Sequence, residues 1–228
     1  MDSAYDLHIH SCLSPCASDD MTPANIAGMA RLKGLSVISL TDHNTGRNLK
    51  SMHEAAQQND LIFVPGIEVT SKEEVHILVY FPKLSAAIKF TEQIYDSLPA
   101  IDNHPELFGN QIVMDIYDHP AGTLRKLLLQ ATPYTMEDID TMAKDAGGCA
   151  IPAHINRDSF SVLSNLGFIP SNLFSCVEIA KNLPCPAVDK YFKKLYSSDA
   201  HCLGDISEPQ FTLPDISTPQ DIVYFASK

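Results

Sequence analysis

The chain opens on an alternation in which Tyr5, Leu7 and Ile9 are apolar while Asp6, His8 and His10 are polar. Successive side chains of a strand point to opposite faces, so this register predicts a first strand that turns two imidazoles to one side. A loop from Ser11 to Asp20 separates it from Thr22-Pro23, which reads as a helix N-cap followed by proline at the first helical position. That helix runs to about Lys33, and Gly34 closes it. Leu35 to Leu40 is an apolar strand ending in Thr41-Asp42-His43-Asn44. There follow a helical pattern from Gly46 to about Asn59, a third strand from Leu61 to Val69 and a fourth from Val75 to Phe81.

Strands alternating with helices predict an α/β fold, with parallel strands and helices packed outside, in an open sheet or a closed barrel. Residues 84–148 break the rhythm: helical patterns at about 85–98 and 135–146 flank a short strand at 111–116, among loops rich in Asn, Pro and Gly. This stretch is expected to be a small insertion or cap over the site, within a single domain spanning 1–228. Order returns at Cys149 to His154, Cys176 to Ala180 and Leu195 to His201, each a short apolar run carrying a titratable residue at or near its end. The tail, Ile222-Val223-Tyr224-Phe225, reads as a last edge strand.

Composition adds limits. At 45% hydrophobic and 19% charged residues the chain is of ordinary globular kind. No apolar run approaches the ~18 residues of a membrane span, and the opening residues have neither a basic nor an apolar leader pattern, so the cytoplasm is the expected compartment and no membrane partner is expected. The six cysteines show no Cys-x-x-Cys spacing and read as free thiols, mostly buried. With a net charge of −12 and no basic stripe, polymeric nucleic acid is not expected as a partner, and a small anionic substrate fits better. Part of that acidity would be neutralised if carboxylates ligate divalent cations.

In parallel α/β folds, chemistry collects at the C-terminal ends of strands. His8, His10, Asp42, His43 and Glu68 fall there, and His154, Glu178, Asp199 and His201 mark the later runs. His76 falls near the start of its strand, which suggests that this strand runs differently or carries its ligand on an irregular segment. A lone histidine is more often structural than a ligand. Titratable residues at one strand end after another, however, converge on one mouth in this architecture and predict a polynuclear metal centre. Imidazole and carboxylate ligands without thiolates suit zinc, manganese or iron. His53, His104 and His119 lie outside the pattern; of these, only His119, in the cap, is a candidate to overhang the site, and a structural role is the expected one.

The ordered motifs Asp6-Leu7-His8-Ile9-His10, Thr41-Asp42-His43, Gly66-Ile67-Glu68, His76, Ala153-His154 and Ser198-Asp199-Ala200-His201 resemble those of the PHP (polymerase and histidinol phosphatase) domain family, from residue 6 to about 205. The resemblance implies a distorted, TIM-like (β/α)7 barrel with a trinuclear centre of divalent zinc, manganese or iron. It also implies hydrolysis of a small phosphorylated substrate, as in small stand-alone phosphoesterases of that family. Carried over by position, it places His8, His10, Glu68 and Asp199 on one metal, with Glu68 bridging to a second held by His76 and His154, and Asp19, His43 and His201 on a third. The first loop departs from the family pattern: relatives carry a carboxylate or histidine about five residues after the His-x-His, where this chain has Pro15. Asp19 or Asp20 is then the expected ligand, Asp19 preferred; Cys12 and Cys16 are set aside because a thiolate is unusual among oxygen and nitrogen ligands. In the expected chemistry Glu68 fixes the metal spacing, Arg157 grips the phosphate with Arg47 as a weaker candidate, and His201 or a metal-bound water protonates the leaving group. Two alternatives stay open: a metal-dependent amidohydrolase, disfavoured because Glu68 stands where such enzymes commonly supply a bridging lysine, and a non-catalytic metal-binding regulatory module.

Overall fold

The computed structural model describes residues 2–228. The first half runs β1 (Asp2–Asp6), α1 (Pro23–Leu32), β2 (Val37–Leu40), α2 (Leu49–Gln58), β3 (Ile62–Thr70), β4 (His76–Tyr80) and α3 (Leu84–Ser97). A short α4 (Pro105–Phe108) and the pair β5 (Ile112–Met114) and β6 (Pro120–Thr123) lead to α5 (Met136–Asp145). The chain ends with β7 (Cys149–Pro152), α6 (Val162–Leu166), β8 (Cys176–Ala180), β9 (Lys193–Ser197), β10 (Thr212–Pro214) and α7 (Pro219–Ser227).

β1, β2 and β3 are parallel neighbours, as the alternation of strands and helices predicts. β4 is not: it runs antiparallel to β3, with His76 opposite Thr70, and β7 in turn runs antiparallel to β4. This corrects a uniformly parallel sheet and accounts for His76, because the start of a reversed strand lies at the same rim as the ends of β3 and β7. The six-stranded sheet has the order β10-β1-β2-β3-β4-β7, and β8 and β9 form a separate parallel pair. Hydrogen bonds beyond the named strands join the two: Ile155 N donates to Glu178 O at 2.9 Å, and His10 N donates to Ala200 O at 2.9 Å. The result is a mixed α/β fold with a curled, half-barrel sheet.

Strand alternation feeds two apolar clusters. Ile67, Val69, Ile77 and Val79 join Ile26 of α1, Met52 of α2 and Phe90 of α3 on the helical side. Val64, Leu78 and Tyr80 join Leu7, Ile151, Cys176 and Leu195 on the other side, with Ile222 and Val223 closing it. Each such side chain, fully buried, contributes about 1.5–3 kcal/mol of transfer free energy.

The tail expected as an edge strand is the helix α7, and the edge strand is β10, antiparallel to β1. A four-residue apolar run does not distinguish the two states by periodicity. Pro219 at the first turn and a capping box between Thr218 and Asp221 select the helix, which buries Ile222, Val223 and Ala226. The stretch 84–148 divides. α3 buries Phe90 and Ile94, and α5 buries Met136, Ile139 and Ala143, all in the main core. The part between them lies against the first loop, where Ile112 N donates to Cys12 O at 2.9 Å. Of the six thiols, Cys12, Cys149 and Cys176 are buried and Cys16, Cys185 and Cys202 exposed, so burial is not the rule expected for them. No helix among the described residues is long and apolar enough to cross a membrane.

Candidate metal centre

Past β1 the chain stays extended, with Ile9 bridged to Ala200, so His8 and His10 turn to one face as their spacing predicts. Each ring has one nitrogen already committed. His8 Nδ1 lies 2.9 and 3.1 Å from the two Glu178 carboxylate oxygens, and Glu178 also accepts from His154 N at 2.7 Å. His10 Nδ1 lies 3.0 Å from Ser14 Oγ, whose own proton goes to Asp42 Oδ1 at 2.7 Å. Ser14 therefore accepts from His10, and each imidazole, when neutral, keeps its proton on Nδ1. Their Nε2 atoms face each other at 3.1 Å, so that in the neutral form both lone pairs converge on one point. Asp199 Oδ1 stands 3.2 Å from both, and Glu68 oxygens stand 3.4 Å from each. Acceptors crowded in this way suit a cation.

Glu68, near the end of β3 and buried, is the hub. Its Oε1 is 2.9 Å from His76 Nδ1 and 3.2 Å from His154 Nε2, and its Oε2 is 2.9 Å from His43 Nδ1. His43 Nδ1, His76 Nδ1 and Glu68 Oε2 nonetheless lack hydrogen-bond geometry, although all are buried. Buried polar atoms left this way are costly, and a metal between them is the simplest partner. Burial opposes the Glu68 carboxylate, but His76, His8 and His43 hold its pKa well below the usual carboxylate range. Burial likewise opposes charge on His8, yet Glu178, Asp199 and Glu68 hold its pKa well above that of a free imidazole, while burial, His201 and His43 drive His10 well below. Among the described residues, three overlapping triads have ligand atoms within 4.8 Å of one another: His8, His10 and Glu68; His43, Glu68 and His76; and His10, His43 and His201. The donor set fits divalent metal ions.

Asp199 and His154 hold positive φ of 53° and 26° without being glycine, a strain that clusters at functional sites. Arg157 lies at the mouth of the site, where a guanidinium nitrogen pairs with Asp199 Oδ2 at 2.6 Å. His201 Nδ1 is 2.8 Å from Asp199 O, leaving Nε2 to face Cys16 Sγ at 3.1 Å. Burial works against the Cys16 thiolate, but His201 and His43 prevail and bring its pKa down to about 6. The cleft above these groups measures about 690 Å³ with its open mouth, and its walls include Cys16, His43, His76, Arg157, Phe160 and His201.

The structure thus brings together His8, His10, His43, Glu68, His76, His154, Asp199, His201 and Arg157. It leaves Asp19 out: that carboxylate is exposed and accepts from Asn110 Nδ2 at 2.7 Å. Asp20 is exposed as well, so neither first-loop carboxylate reaches the cluster. Arg47 lines a neighbouring cleft with Thr45 and Lys50, and His119 is 76% exposed beside Asp115, away from the site. Sequence reasoning missed Ser11 and Ser14, whose hydroxyls both bond Asp42, and it passed over Cys16. The signal was the loop itself: Pro15 between Ser14 and Cys16 marks a tight turn rather than an extended reach to Asp19.

No family model matches the chain. Over 87 residues, 38% of this chain, it is 34% identical to an uncharacterized protein of Methanocaldococcus jannaschii, and that stretch is 11% of the relative's length. Among solved structures it is similar to the lesion-specific endonuclease Q of Pyrococcus furiosus, at 23% identity, a TM-score of 0.58 and 89% of this chain. The chain spans about half the length of that enzyme, 49%. It is also similar to a protein from Bifidobacterium adolescentis assigned as a metal-dependent phosphoesterase, at 17% identity and a TM-score of 0.58, covering 98% of this chain and 95% of that one. At these identities the likeness establishes the fold. It also corrects the exclusion of nucleic acid: an endonuclease Q of this fold holds a 27-mer duplex with an abasic lesion at its active site. Net charge is a property of the whole surface, whereas a phosphodiester meets only the local field of the site, so −12 excludes nothing there.

Proposed function

We propose that the chain is a metal-dependent phosphoester hydrolase of the PHP type. The observation that carries this reading is the convergence of the His8 and His10 Nε2 atoms, 3.1 Å apart, on Glu68 and Asp199 while Glu178 and Ser14 occupy their other nitrogens. His8, His10, Glu68 and Asp199 would hold one cation, His76 and His154 a second that Glu68 bridges, and His43 and His201 would border a third. Divalent cations in such a cluster supply an acidified water as nucleophile and positive charge against phosphate oxygens. The chain's own residues position both. Glu68 sets the spacing of its surrounding imidazoles, and Glu178 and Ser14 fix the ring orientations. Arg157, at the mouth and paired with Asp199, has guanidinium donors left for non-bridging phosphate oxygens. The curled sheet and the paired β8 and β9 support the distorted barrel of that family.

The substrate is a phosphoester in a cleft open enough for a small molecule or an extruded nucleotide. The fold shared with endonuclease Q supports testing nucleic acid beside small esters. Chelator-stripped protein is reloaded with zinc, manganese or iron and assayed on phosphomonoesters, diesters and a duplex oligonucleotide carrying an abasic site. At least one phosphoester should be hydrolysed in a chelator-sensitive way, and His10→Ala and Asp199→Ala should lose that activity while remaining folded by circular dichroism. Unchanged hydrolysis in either variant would sink the assignment. Metal uptake with no turnover on any substrate would instead indicate a regulatory module.

A further inference from the structure

We infer that Cys16, as a thiolate, is the first-loop ligand of the metal position bordered by His43 and His201, and that this position takes zinc or another thiophilic divalent ion. The inference rests on the metal-centre reading above and adds to it a ligand and a metal preference specific to this chain.

The geometry of the loop makes the case. Ala17 N donates to Ser14 O at 2.9 Å, closing a turn with Pro15 at its second position, where a fixed φ is favoured, and Cys16 at its third. Ser14 is anchored inward through His10 and Asp42, and on the far side Ser18 N donates to His201 O at 2.9 Å. Gly109, at a φ of 98°, presses on the turn from outside, and a Cβ there would run into the Pro15 carbonyl. The loop is therefore held from three directions, and what it presents is sulfur. Cys16 Sγ sits 3.1 Å from His201 Nε2 and shares the cleft wall with His43. His43 and His201 have ligand atoms within 4.8 Å of each other and of His10, whose ring stacks on His201 at 4.3 Å while its Nε2 faces His8 and Asp199. His201 Nδ1 is engaged by Asp199 O, so Nε2 is the nitrogen free to bind. Asp19 and Asp20, the oxygen alternatives, face solvent. A thiolate among imidazoles is a softer donor set than the carboxylate and imidazole set around Glu68, and it favours zinc, cobalt or ferrous iron over manganese or magnesium.

The test is a cobalt(II) titration of the chelator-stripped full chain, read by absorption and by bound metal per chain. Cobalt bound to a thiolate gives a near-ultraviolet charge-transfer band that oxygen and nitrogen ligands do not give. The band should saturate in the parent, vanish in Cys16→Ser and in Cys16→Asp, and persist in Cys202→Ser, whose thiol is exposed beside His201. Zinc should slow alkylation of Cys16 by about tenfold or more, and leave Cys185 and Cys202 unaffected. A parent that binds cobalt without the band, or a band that survives Cys16→Ser, overturns the thiolate while leaving the hydrolase reading standing if chelator-sensitive turnover remains. A chain that takes up no cobalt overturns both.

Discussion

The two sides of the candidate metal centre are built by different means. Around Glu68 the two rings of the first strand are each fixed twice, once by the extended chain that carries them and once by a buried partner, as Glu178 fixes His8 and Ser14 fixes His10. Around Cys16 the groups lie at the mouth of the cleft, and position is set by a turn that other loops hold in place. The first side is determined by strand periodicity. The second is determined by contacts among segments far apart in the chain. Perturbations should separate the two, hitting the Glu68 side through the groups behind it and leaving the outer face of the loop inert.

The largest effect should come from behind the heart. Glu178 touches no metal in this arrangement, but its carboxylate holds the His8 Nδ1 proton and accepts from His154 N, so two rings depend on it. Glu178→Gln keeps the shape and removes the charge. Partners of this kind typically contribute about 10–100-fold in metal affinity, and a competition titration with a chelating dye should find a loss in that range for the tightest site. An unchanged affinity would mean that the strand alone orients His8.

The same division explains what the sequence disclosed. His8 and His10 were legible because a period of two leaves no choice of face, and Glu68, His154, Asp199 and His201 because chemistry gathers at strand ends. The odd position of His76 correctly flagged a strand that runs the other way. Asp42 was legible as a strand-end carboxylate but not as what it is, the anchor of the first loop through Ser11 and Ser14, because that role depends on where the loop returns. Cys16 was passed over for Asp19 by a rule about ligand types, whereas Pro15 had already decided the geometry. The tail failed for a different reason: four apolar residues fit either period, and the capping residues outside the run selected the helix.

A middle-sized effect should appear in the stability of the metal-free protein against pH. Burial takes the His76 imidazole down to about 4 and holds His10 well below its ordinary value. Those groups contribute stability above the ordinary histidine pKa of about 6.5 that is lost as pH falls through their folded values. His8, held up by Glu178, Asp199 and Glu68, and His43, held up by Glu68 and Cys16, are shifted the other way against burial. Their contribution is fully present below about 6.5 and is lost as pH rises through their folded values. Glu68 and Asp199, held low by the imidazoles, add a further loss as pH falls below the carboxylate range. The chelated protein should therefore melt highest near pH 6.5 and lower on both sides. Saturating zinc should raise the alkaline limb by occupying the lone pairs that protons otherwise fill. A melting temperature that climbs steadily to pH 9 without metal would contradict the raised histidines.

The smallest expected effect discriminates most sharply between the two sides. Asp19 is the residue that the family resemblance would put on a metal, and in the structure its carboxylate faces solvent and accepts a single hydrogen bond from Asn110. Asp19→Ala removes that bond at an exposed site, where substitutions usually stay within about ±0.5 kcal/mol. Metal stoichiometry and chelator-sensitive turnover should be those of the parent. If the variant instead loses one metal equivalent, the loop must swing outward on loading, bringing Asp19 inward and withdrawing Cys16. That movement would have to break the Ser18 to His201 hydrogen bond and slide Pro15 past Gly109, so it should also be visible as faster backbone amide exchange at Ser18. Unaltered metal content with unaltered exchange fixes the loop as the rigid wall that presents sulfur.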